Sequence, residues 1–194
     1  MSLRRKKIFI DPGHGGTSAE GRRLCNGSYN VGTSGNLSGD EKDSVLTIGL
    51  ELKGLLESEG AIVEISRTRD IPVCLGERAR LANRWGADVF ISLHHNGSDN
   101  SRANGISAHW YKRIDKPLAE EMAKSIPEWT GLNTWGSTGV REDNFQVLRE
   151  TEMPAVLLEL GFMTNPDDDE FISHFEGKLD FVNGIFKGLE NYFY

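Results

Sequence analysis

This 194-residue chain has two cysteines, six prolines and no long uninterrupted apolar run, and each scarcity removes a class of protein. Cys25 and Cys74 stand far apart and outside any C-x-x-C spacing, which excludes a zinc-thiolate centre. Spacing alone supports no disulfide, so both are expected to be free or buried thiols. No stretch approaches the roughly 20 apolar residues of a membrane-spanning helix. A basic stripe is also missing: the formal charge is -7 and the pI near 5.3, against displacement of counterions from nucleic acid. The one basic cluster, Arg4-Arg5-Lys6-Lys7, precedes only Ile8, Phe9 and Ile10 before Asp11, too short an apolar core for an export signal. A domain this long buries about 70% of the surface its unfolded chain exposes, so a metal here is expected to serve chemistry rather than folding.

The remaining residues alternate between two periodicities. Lys6 to Ile10 is a β-branched and aromatic run entering an Asp-Pro-Gly turn, and Ala61–Ile65, Ala87–Leu93, Ile106–Tyr111 and Met153–Gly161 are further strands. Helical spacing marks residues 40–58, 76–85, 119–126 and 168–192, while 15–39 and 130–138 are expected to be loops. Alternating strands and helices imply a single α/β domain over residues 1–194, with a twisted, mostly parallel sheet of about six strands flanked by helices. Ligands in such sheets bind where the loops leave the carboxyl ends of the strands.

His14, in Asp-Pro-Gly-His-Gly-Gly, and His94, in Ser-Leu-His-His-Asn, both fall at such ends. Strand alternation puts Phe90, Ser92 and His94 on one face and Ile91, Leu93 and His95 on the other, so His94 is the candidate ligand and His95 a structural or rim residue. Glu41 opens the first long helix; with Ser38 it has the spacing of a capping box, or it joins the two imidazoles to complete a catalytic zinc set. Glu159 is embedded among Val156, Leu157, Leu158 and Leu160. A carboxylate there must be ion-paired, metal-facing or protonated, and the functional alternative is a general base. His109 and His174 have no partner pattern; one is placed on a strand and the other on a helix face.

Taken in order, Ile-Asp-Pro-Gly-His-Gly-Gly, Glu41-Lys42-Asp43, Thr68-Arg69-Asp70, Ser92-Leu93-His94-His95-Asn96, Asn144 to Arg149, and Pro154 to Phe162 with Asn165-Pro166 resemble the zinc-dependent N-acetylmuramoyl-L-alanine amidases of the amidase-3 type. The resemblance implies one zinc ion held by His14, Glu41 and His94, Glu159 as the catalytic carboxylate, and a fold similar to zinc exopeptidases. It implies peptidoglycan as substrate, the bond between the lactyl group of N-acetylmuramic acid and L-alanine as the one cut, and action at the cell wall by a monomer. The chain departs from the family pattern at His95, where a small residue is usual. Only Lys112 to Glu142 separates the late strands, too little for a large autoinhibitory insert, so no activator is expected. Any wall-targeting domain would lie outside this chain. The alternatives are another zinc amidohydrolase or peptidase on the same scaffold and a non-catalytic wall-binding module.

Overall fold

The computed structural model describes residues 3–27 and 29–194. Its elements in chain order are β1 (Lys7–Pro12), α1 (Ser18–Leu24), β2 (Ser34–Gly35), β3 (Gly39–Asp40), α2 (Glu41–Ser58), β4 (Ile62–Ile65), α3 (Leu75–Trp85) and β5 (Val89–Asn96). There follow β6 (Ile106–Trp110), α4 (Lys116–Thr130), β7 (Val140–Glu142), α5 (Gln146–Glu150), β8 (Ala155–Phe162), α6 (Pro166–Ser173) and α7 (Phe175–Tyr192).

Six strands form one sheet in the order β4-β1-β5-β8-β6-β7, and β2 and β3 pair apart as a small hairpin. Within the six-stranded sheet all pairings are parallel except β6 with β8. The mixed, mostly parallel sheet expected from the sequence is thus present, and its central strands β1, β5 and β8 are the most continuously apolar.

Alternation along those strands builds two cores. Ile8, Ile10, Ile91, Leu93, Val156 and Leu158 face the apolar stripes of α2, α4 and α7, supplied by Val45, Ile48, Leu52, Met122, Phe181 and Ile185. Phe9, Phe90, Ala155 and Leu157 face the opposite way, against Ala82 of α3 and Val147 and Leu148 of α5. Each strand buries both faces, as a parallel sheet between helical layers requires.

Several expectations need correction. The 15–39 stretch contains α1, opened by a capping box in which Thr17 and Glu20 exchange side-chain and backbone bonds. Its few apolar residues hid it, because a helix fixed by caps and a tether needs no wide apolar stripe. Cys25, at the end of α1, and Cys74, at the start of α3, are joined in a disulfide with 5.5 Å between their Cα atoms, so neither is a free thiol. Of the two readings of Glu41, the capping box with Ser38 is absent: Asp40 is the N-cap, the Ser38 hydroxyl turns to Asp169, and the Glu41 side chain points elsewhere. His174 lies at the extended junction of α6 and α7 rather than on a helix face.

Candidate metal centre

Three separate devices bring three side chains to one point. β5 delivers His94 at its carboxyl end, facing Glu159 of β8 in register. The first turn of α2 delivers Glu41. The turn after β1 delivers His14, whose φ of 57° lies in the left-handed region that costs a non-glycine residue about 1–2 kcal/mol.

Buried guanidinium groups hold that turn. Arg78 donates to the carbonyls of Pro12 at 2.7 Å and His14 at 2.6 Å, and to Asp11 Oδ1 at 2.6 Å. Arg67 donates to the carbonyls of Pro12, Gly13 and Lys42. Burial pushes the Asp11 carboxyl up, but Arg78 and hydroxyl bonds from Ser66 and Ser92 outweigh it and hold the group below its ordinary range.

At the meeting point, Glu41 Oε1 lies 3.1 Å from His14 Nε2 and 3.0 Å from His94 Nδ1, and the two nitrogens are 3.1 Å apart. His14 Nδ1 lies 2.9 Å from the Asn30 carbonyl, which can only accept, so Nδ1 carries the proton and Nε2 turns a lone pair inward. Glu41 Oε1 also accepts the His95 backbone N–H, and Oε2 accepts that of Thr33. Despite burial, the two imidazoles keep the Glu41 carboxyl far below its ordinary range. Burial lowers His94 against the opposing charge of Glu41.

A carboxylate oxygen and two ring nitrogens thus converge on one point, where a shared proton or a cation relieves their mutual repulsion. Ligand atoms about 2.0–2.1 Å from a tetrahedral zinc ion are roughly 3.3 Å apart, close to the observed triangle. The residues therefore fit zinc: two imidazoles and one carboxylate, with one side open to a cleft. Two glycines guard the fit. A Cβ at Gly13 would lie 2.2 Å from His94 Cε1, and one at Gly32 would lie 2.7 Å from Glu41 Oε2.

The fourth candidate, Glu159, lines the same cleft of about 950 Å³, together with Asn30, Asn96, Phe145 and Gln146. It has no salt bridge among the described residues, and its buried Oε2 has no hydrogen-bond partner there, which disposes of the ion-pair alternative. Burial, followed by the charge of Glu41, raises its pKa well above the ordinary carboxyl value. His95 points to the opposite face, as alternation requires: Nδ1 donates to the Leu160 carbonyl at 2.7 Å, Nε2 accepts from Ser44 Oγ at 2.9 Å, and burial lowers its pKa to about 4. The sequence reading missed Asn30, Thr33, Arg67 and Arg78. Nothing local singles out the arginines, since Arg67 stands in Ser-Arg-Thr-Arg-Asp and Arg78 between Glu77 and Arg80, and the backbone donors and acceptors leave no signal either.

Known proteins share this arrangement of chain. Residues 8–191 match the family described as Amidase_3, N-acetylmuramoyl-L-alanine amidase. A probable cell wall amidase, LytH, of Staphylococcus saprophyticus is 38% identical over 193 residues, which cover 98% of this chain and 60% of that protein. The chain thus spans about 60% of the length of the curated relatives it matches. The crystal structure of an N-acetylmuramoyl-L-alanine amidase from Clostridium difficile 630 superposes with a TM-score of 0.85 at 33% identity, over 98% of this chain and 97% of that one. The catalytic domain of CwlV, an N-acetylmuramoyl-L-alanine amidase from Bacillus (Paenibacillus) polymyxa, gives 0.82 at 31% identity over 97% and 98%. On a family match that spans almost the whole chain, with relatives above 30% identity, the protein belongs to the N-acetylmuramoyl-L-alanine amidase family.

Proposed function

We propose that residues 1–194 form the catalytic domain of a zinc-dependent peptidoglycan amidase. It hydrolyses the amide between the lactyl group of N-acetylmuramic acid and L-alanine of the stem peptide. One observation carries the reading: a convergent triangle of ligand-type atoms on His14, Glu41 and His94 shares a cleft with a carboxyl, Glu159, that has an unpartnered buried oxygen.

In this reading His14, Glu41 and His94 hold the metal. A bound zinc ion supplies Lewis acidity toward the scissile carbonyl and lowers the pKa of water toward neutrality. Glu159 does the proton work. A raised pKa suits a carboxyl that must first accept a proton from the attacking water and then release it to the leaving nitrogen, and its free oxygen has no competing bond to break. Backbone groups around the triad, the Asn30 carbonyl and the Thr33 and His95 N–H groups, fix tautomer and carboxylate orientation so that no ligand has to rearrange. Asn30, Asn96 and Gln146 offer hydrogen bonds to glycan and peptide, while Phe145 and Leu75 offer apolar contact along the rim. In this reading the domain acts on the cell wall as a monomer and without an activator, as the resemblance implies.

Glu159→Gln is expected to keep zinc and lose turnover by about 10²–10⁴, the usual span of a general acid-base group. His14→Ala and His94→Ala are expected to lose the metal itself. Mass spectrometry of digested walls should show intact L-alanine amino termini and N-acetylmuramic acid carboxyl ends. Other products point to a different amide, and near-normal activity in Glu159→Gln removes its role.

A further inference from the structure

The ladder between β5 and β8 slips just past the metal triangle. His94 pairs with Glu159 and Asn96 with Phe162, so His95 alone stands opposite two residues, Leu160 and Gly161. That is a β-bulge in β8, and Gly161 supplies its positive φ of 84°. A bulge interrupts the ladder, and here two side chains bond the backbone groups around it. The Leu160 carbonyl accepts from His95 Nδ1 at 2.7 Å, and the Phe162 N–H donates to Asp168 Oδ2 at 2.8 Å.

The His95 ring does more than satisfy the bulge. Its other nitrogen, Nε2, accepts from Ser44 Oγ at 2.9 Å, and the ring packs beside Phe181 of α7 with 6.1 Å between centroids. Ser44 follows Glu41 by three residues in α2 and so lies on the same helix face, one turn further on. The backbone N–H of His95 meanwhile donates to Glu41 Oε1 at 3.0 Å. One residue of β5 thus grips α2 at two points a turn apart, and the same ring grips β8. Ser44 and His95 are each 3% exposed, so water does not compete for these bonds. Glu41 rides on a helix and His94 on a strand, and neither element's own hydrogen bonds set the 3.0 Å between them. A slide of α2 along the sheet would open the triangle.

We propose that His95 is a positioning residue for the metal site, a cross-brace from the β8 bulge to Ser44 that holds the first turn of α2, and with it Glu41, against His94. The inference rests on the reading of His14, Glu41 and His94 as metal ligands.

Ser44→Ala removes the helix end of the brace. His95→Leu, close in volume, removes both ring bonds and keeps the backbone N–H. Each variant and the double are compared with the parent in zinc affinity, read by competition with a chromogenic chelator, and in urea unfolding of the metal-free protein, with His14→Ala as control. Groups that support a metal ligand typically matter about 10–100-fold in affinity, so each single variant, folded by circular dichroism, should bind zinc about tenfold or more weakly. The double variant should bind no more weakly than His95→Leu, because Ser44 acts through the ring. A residue that served packing alone would lower the urea midpoint and leave the zinc affinity of the folded protein unmoved; that result, or losses that add, overturns the brace. Should His95→Leu fail to fold, Ser44→Ala carries the test by the same readouts. A parent that binds zinc no more tightly than His14→Ala refutes the ligand set, whereas tight parent binding that is lost in His14→Ala but kept in Ser44→Ala refutes the brace alone.

Discussion

Cutting the Cys25–Cys74 disulfide is predicted to weaken both the fold and the metal site, by separable amounts. The bridge spans 49 residues, and loop-closure entropy for that length gives about 4 kcal/mol of stabilisation at 25 °C. The functional cost follows from what lies just past Cys25. Tyr29 donates its hydroxyl to the Gly15 carbonyl at 2.6 Å and packs on Gly21 of α1, the Asn30 carbonyl holds His14, and Thr33 bonds Glu41 through both its N–H and its carbonyl. Second-layer supports of metal ligands typically matter 10–100-fold in affinity. Cys25→Ala with Cys74→Ala, or reduction of the parent, should therefore lower the urea unfolding free energy of the metal-free protein by up to about 4 kcal/mol. Under native conditions it should also weaken zinc binding, read by competition with a chromogenic chelator, by about tenfold or more. Lost stability with unchanged zinc affinity would show that residues 29–33 stay in place by their own bonds, and would refute the tether as a support of the site.

Gly13→Ala should keep the fold by circular dichroism yet weaken zinc binding on the order of 100-fold, because the new Cβ would meet His94 Cε1 at 2.2 Å. Arg78→Met should cost about 3–5 kcal/mol in urea unfolding by leaving Asp11 buried without its cation; a loss below about 1 kcal/mol would mean that Ser66 and Ser92 suffice. His109, faced by Asp143 and, through it, Arg141, has a folded pKa below its unfolded value of about 6.5, so its stabilising contribution is complete above that pH and is lost as pH falls beneath it. The parent should accordingly lose stability below about pH 6.5 with an extra slope of up to about 1.4 kcal/mol per pH unit relative to His109→Gln; parallel curves would show that His109 titrates normally.

Legibility in the sequence followed the physics that fixes each element. β1, β5 and β8 are buried on both faces, which forces an apolar run, and their ends then located His14, His94 and Glu159 without coordinates. Alternation sufficed to turn His95 away from the site, and the structure places it against Ser44 and Leu160. Glu41 was ambiguous because a carboxylate suits a helix start and a metal equally well, and only the positions of His14 and His94 separate the two. The disulfide was illegible because nothing local distinguishes Cys25 from a buried thiol; its partner, Cys74 at the start of α3, is 49 residues away in sequence and meets it only in the folded chain. The hydrogen-bonded chain from Ser107 through His109 to Asp143 had a trace of signal, Ser107 and His109 two apart and hence on one face, but Asp143 joins it only through the pairing of β7 with β6.

The three proposed ligands differ in how much of their placement secondary structure provides, and the surrounding polar groups compensate in proportion. His94 is fixed by the ladder between β5 and β8, and Glu41 by the first turn of an 18-residue helix. His14 has neither, and its backbone is in an unfavourable conformation that would relax if free. Each hydrogen bond from a charged donor contributes about 1.5–3 kcal/mol. Arg78 on the His14 carbonyl and Arg67 on that of Gly13 together exceed the 1–2 kcal/mol cost of the left-handed turn. The Asn30 carbonyl then selects the tautomer, and Asn30 lies on the segment that begins at the disulfide. Two buried cations and a covalent tether thus converge on His14, the proposed ligand with the least support of its own.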